Sequence, residues 1–115
     1  MNAYDHDGRI VVDVVRHPKM FVSEIPGPNE EGPTLDRWTI DLNAGKVFAE
    51  RLDDRAQEFP RIDERLTGRR HRYGYSVAGE LQAGGSIVYK FDFDSRRQAS
   101  RLFGPGKGLS EFVFV

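Results

Sequence analysis

Trp38-Thr39-Ile40-Asp41-Leu42-Asn43-Ala44-Gly45-Lys46 and Tyr89-Lys90-Phe91-Asp92-Phe93-Asp94-Ser95-Arg96-Arg97 carry one pattern twice, 51 positions apart. Aromatic falls on aromatic, Asp41 on Asp92 and turn on turn, and Leu52 then falls on Phe103. Leu35 to Leu42 alternates apolar and polar residues, the period of a strand with one face inward. Asn43-Ala44-Gly45 turns the chain and Lys46 to Leu52 returns, which makes a β-hairpin on a short glycine-containing loop. Further out, Glu58-Phe59 has a counterpart in Glu111-Phe112, 53 positions on. Self-similarity near 50 residues in an all-β chain is the signature of propeller blades, four-stranded sheets packed on their neighbours. The repeat units run approximately over 34–60 and 86–115. The expected fold class is therefore all-β, a partial β-propeller.

Before the first hairpin, Asp5-His6-Asp7-Gly8 reads as a turn, and Arg9 to Val15 is rich in β-branched residues that suit a pleated surface. The expectation is a strand buried on both faces, ended by His17-Pro18. Ile25 to Pro33 holds three prolines and two adjacent glutamates and reads as a loop. The one helical candidate, Asp53 to Gln57, is too short and is stopped by Pro60.

The 17 lysines and arginines nearly balance 18 aspartates and glutamates, so no field of one sign recruits nucleic acid or an anionic membrane. The 115 residues suffice for one domain. The absence of cysteine removes disulfides, thiolate catalysis and zinc ribbons together, and it suits a reducing cytoplasm. With only short apolar runs and no basic or apolar leader, the sequence reads as a cytoplasmic chain without a transmembrane segment. Arg69-Arg70-His71-Arg72-Tyr73-Gly74-Tyr75 interleaves basic and aromatic residues as RNA-stacking strands do, but Arg72 stands where such strands place glycine, and no βαβ pattern surrounds it. No nucleic-acid partner is expected.

The chemistry centres on Gln57-Glu58-Phe59-Pro60-Arg61-Ile62-Asp63. Phe59 favours burial and Pro60 fixes the backbone without donating a hydrogen bond, so Glu58 is expected to be drawn inward, where a carboxylate needs a waiting donor. If Glu58 and Glu111 begin equivalent channel-lining strands, the two carboxylates converge on the propeller axis, where a metal could be held. The bland alternative for either is a structural carboxylate satisfied by backbone N–H groups or an arginine. The histidines offer no ligand motif: His6 lies in a turn, His17 precedes a proline and His71 sits among arginines, so all three read as surface or loop residues.

Five separated motifs carry a family resemblance: Asn2-Ala3-Tyr4-Asp5; Arg37-Trp38-Thr39-Ile40-Asp41-Leu42; Glu58-Phe59-Pro60-Arg61-Ile62-Asp63; Arg72-Tyr73-Gly74-Tyr75; and Phe103-Gly104-Pro105-Gly106 with Ser110-Glu111-Phe112-Val113-Phe114-Val115. Their order resembles the C-terminal half of the carotenoid cleavage oxygenases, which include lignostilbene dioxygenases. The resemblance implies a seven-bladed propeller, of which this chain is a fragment of roughly two to three blades. It also implies a non-haem Fe(II) held by four histidines, with glutamates bonded to three of them from outside. Such an enzyme cleaves a C=C bond of a carotenoid, apocarotenoid or stilbene with O2. Glu58 and Glu111 match two of the outer glutamates, whereas the ligand histidines fall outside this segment. No catalytic residue, no metal ligand and no cofactor is therefore expected on this chain alone. The alternative is a non-catalytic all-β module that binds a partner or self-associates through exposed sheet edges.

Overall fold

The computed structural model describes residues 1–18, 32–78, 85–113 and 115. Asp7-Gly8, with φ of 51° and 75°, joins β1 (Asn2–His6) to β2 (Arg9–Arg16) in a two-residue hairpin loop. Asp5 and His6 thus belong to a strand, not to the expected turn. The chain continues through β3 (Thr34–Asp41) and β4 (Lys46–Asp53), then β5 (Glu58–Arg61), a 3-10 turn at Glu64–Leu66, β6 (Tyr73–Ala78), β7 (Ser86–Asp92) and β8 (Arg97–Phe103). Two four-stranded antiparallel meanders result, ordered β1-β2-β3-β4 and β5-β6-β7-β8.

The ladders explain the spacing. Asn2, Asp13, Arg37 and Glu50 form one rung of the first sheet; Glu58, Val77, Val88 and Arg101 form the rung of equal rank in the second. Tyr4 pairs with Val11 and Arg61 with Tyr75, so between these rungs β5 holds one residue more than β1. The surplus is a bulge at Phe59-Pro60, where Phe59 has φ of 50°. The loops match too. Asp41 accepts the Ala44 N–H, and Asp92 accepts those of Asp94 and Ser95. Gly45 (φ 62°) and Arg96 (φ 59°) occupy the same left-handed place. Glycine adopts it freely, whereas a side chain there costs roughly 1–2 kcal/mol.

Leu35, Phe91 and Phe93 form the buried apolar cluster between the sheets, with Met1, Val15 and Leu52 against it. Several expectations change. In β2 only Val11 and Asp13 are fully buried and their neighbours are half-buried or exposed, because one face alone meets the second sheet. The segment Asp53 to Gln57 forms no helix, as its shortness predicts: the Asp53 carboxylate takes the Arg55 N–H and the Gln57 N–H goes to the Pro33 carbonyl. Among the described residues no ladder forms around Glu111, and the Leu109 N–H instead donates to Ser86 Oγ at the start of β7. Most of the proline-rich loop, 25–31, lies outside the described residues.

Candidate functional site

Glu58 opens β5 at the bulge and is exposed, and no hydrogen bond or ion pair reaches its side chain among the described residues. The expected inward turn is not found: Phe59 is 42% exposed, because its left-handed backbone takes it out of the ladder. Glu111 is also exposed, and Arg61 Nη2 donates to its Oε1 while Arg61 Nη1 lies 3.5 Å from Glu64 Oε1. Arg61 thus ties Glu111 to the strand that bears Glu58, but the two carboxylates do not touch. For Glu111 the arginine-satisfied carboxylate is the arrangement observed.

His6 stands 3.3 Å from Asp7 at the surface, and His17 is exposed past the end of β2. His71 is different. It is only 2% exposed, so its reading as a surface or loop residue is overturned. The flanking arginines turn outward, Arg70 to Asp94 and Arg72 to Asp92, and the imidazole goes inward between the edges of Tyr4 and Phe93. Asn2 Nδ2 lies 2.9 Å from His71 Nδ1 and donates to the Arg69 carbonyl, while Asn2 Oδ1 accepts the Gly68 N–H. With Nδ1 accepting, the ring proton belongs on Nε2. That nitrogen is 3.1 Å from Asp13 Oδ2 but lacks hydrogen-bond alignment, so the contact is electrostatic and Nε2 has no hydrogen-bond partner among the described residues.

Asp13, fully buried, completes this node. Arg37 Nε and Nη2 grip its two oxygens at 2.7 and 2.9 Å. Burial alone would push the Asp13 carboxyl up, but the N–H groups of Arg37 and His71 outweigh it and hold the carboxyl below its usual range. The node joins β1, β2 and β3 to the segment before β6, across the two sheets. One signal for it was present in the sequence: Asp13 stands amid β-branched residues at an inward position, and Arg37 is its cross-strand partner.

Among the described residues no group of three or more histidine, cysteine, aspartate or glutamate side chains is placed to hold a metal ion. The residues present do not fit an inner ligand set. Glu58, exposed and without a partner among the described residues, is open to an N–H donor. Within the basic stretch 69–75, Arg72 pairs with Asp92 and, with Lys90, covers the Tyr73 ring. Among the described residues no helix is long and apolar enough to cross a membrane.

The family model described as RPE65, retinal pigment epithelial membrane protein, matches residues 1–115. The chain is 43% identical over 114 residues to the carotenoid cleavage oxygenase of Mycobacterium tuberculosis, covering 92% of this chain and 23% of that protein. It is 27% identical over 124 residues to the apocarotenoid-15,15'-oxygenase of Synechocystis, covering 99% of this chain and 25% of that one. The cobalt-substituted Synechocystis ACO superposes with a TM-score of 0.83 at 26% identity, over 99% of this chain and 26% of that structure. The chain spans about a quarter of the length of these relatives. Carotenoid oxygenases are β-propellers, and the two meanders are blades of that fold. On the match across its whole length, the chain belongs to the RPE65, or carotenoid oxygenase, family.

Proposed function

We propose that this segment serves in a non-haem Fe(II) dioxygenase that uses O2 to cleave a C=C bond of a carotenoid, apocarotenoid or stilbene. Its part is to present Glu58 and Glu111 to imidazole N–H groups of metal-ligating histidines outside the segment. Bound iron would supply the activation of O2. The chain's own work is orientation: a carboxylate that accepts the outer N–H fixes the ring and its tautomer and raises its basicity. The observation that carries this reading is Glu58, set at the first rung of edge strand β5 beside a strained bulge, exposed and without a partner among the described residues. Bulges re-aim side chains beside active sites, and strain of this kind persists where a surrounding fold enforces it. Glu111 needs only to exchange Arg61 for an imidazole. Each of the units 34–60 and 86–115 then holds the last two strands of one blade and the glutamate that follows them. The cysteine-free composition agrees with a cytoplasmic setting.

The test is alkene cleavage in an oxygenase of full family length carrying this segment. Glu58→Gln keeps the shape and removes the charge that steadies the ring, so carbonyl product formation should fall about 10- to 100-fold. Unchanged turnover would refute the role.

A further inference from the structure

Between the sheets, beside the β1–β2 and β7–β8 turns, lies a cleft of about 280 Å³ whose lining includes Tyr4, Arg9, Arg37, Glu50, Arg70 and Arg96. Four guanidinium groups reach it from four places: the start of β2, the middle of β3, the segment before β6 and the β7–β8 turn. Each has an acidic partner, but three commit a single N–H to it. Arg9 gives Nε to Asp41 (3.2 Å), Arg70 gives Nη2 to Asp94 (2.8 Å) and Arg96 gives Nη2 to Glu50 (3.2 Å). A guanidinium carries five N–H donors, so most of theirs meet no acceptor among the described residues. Asp13, Asp41 and Asp94 stand outside the lining, which leaves Glu50 and the solvent-facing Asp7 as its acids. Tyr4 is 6% exposed, lines the cleft, and its hydroxyl has no hydrogen bond among the described residues. Arg96 reaches the cleft from a left-handed backbone position that the other blade gives to Gly45.

We propose that this inter-blade cleft is a binding site for a small oxoanion, a phosphate or a carboxylate. Forked guanidinium donors match the oxygen spacing of both groups, and a phenol hydroxyl adds a neutral donor. Glu50 acts as the internal competitor. It holds Arg96 in place when the site is empty and yields an N–H when an anion enters.

Calorimetric titration of the full chain at low ionic strength, with inorganic phosphate in one arm and benzoate in the other, tests the site. Saturable one-to-one binding of either, with a dissociation constant of roughly 1 mM or below, is the expected result and identifies the preferred class. Arg96→Gly should weaken it by at least about tenfold while leaving the thermal midpoint unchanged or higher, since glycine relieves the left-handed strain. Glu50→Gln should tighten binding, and Arg97→Gln, an exposed arginine outside the cleft, should not alter it. No saturation by about 10 mM of either anion would overturn the proposal. So would an Arg96→Gly variant that binds like the parent, or equal losses in Arg96→Gly and Arg97→Gln, which would mark a diffuse charge effect.

Discussion

Asp13 shows how one residue links two sheets. Replacing it by Asn would leave the half-sheltered Arg37 without its counter-charge beside a buried imidazole, a change that typically costs about 3–5 kcal/mol. A lowered urea midpoint for Asp13→Asn with an unchanged slope is the expected outcome. The same carboxyl and that of Asp53 are held below their usual range, Asp53 because hydrogen bonds from Arg55 outweigh the upward push of burial. Because their folded values are depressed, their stabilisation is fully present above the ordinary carboxylate pKa of about 4 and is lost as pH falls through the folded values. Stability followed by denaturation between neutral and acid pH should therefore drop on acidification, and the drop should shrink in Asp53→Asn. His71 was illegible in the sequence for a physical reason. Its arginine neighbours suggest a wet surface, but alternation sends them out and the imidazole in, toward Asn2 and Asp13 more than fifty residues away.

At the scale of elements, the β3–β4 and β7–β8 hairpins were readable because alternation and turn chemistry agree locally. β1 was not, since Asn2-Ala3-Tyr4 lacks β-branched residues and is held by pairing to β2 and by the Asn2 side chain. Asp7-Gly8 was the available hairpin signal. The bulge in β5 was equally hidden, because a Phe-Pro pair does not announce a left-handed Phe59. Gly85 gives an element-level test: its φ is 95° and a Cβ there would overlap the Phe103 carbonyl, so Gly85→Ala should unpair the start of β7 from β8. A loss of more than about 2 kcal/mol, read from thermal melting, is expected. Edge strand β4 exposes Val47 and Phe48, 60% and 56% accessible, an edge suited to pairing with another chain. If self-association uses this edge, Phe48→Lys should shift sedimentation toward the monomer; an unchanged distribution would place the contact elsewhere.

For the whole molecule, the repeat spacing was legible because each blade buries the same kind of face, while the seam between blades depends on contacts that no local pattern encodes. Leu35, 1% exposed at the centre of the inter-sheet cluster, should cost about 2–5 kcal/mol when cut to Ala, measured by denaturant unfolding. Gly74 lies against Met1 and Phe93, which a Cβ would approach to 2.9 Å, so Gly74→Ala should also disturb the seam. The repeat spacing singled out the two glutamates, but the role proposed for them rests on family likeness, for neither has an imidazole partner among the described residues. The most direct test of their role is the rate at which a chelator strips metal from an oxygenase of full family length carrying Glu58→Gln or Glu111→Gln, with Glu64→Gln as the control. The account predicts metal affinity reduced about 10- to 100-fold in the first two and parental affinity in the third. Parental retention in Glu58→Gln would contradict it.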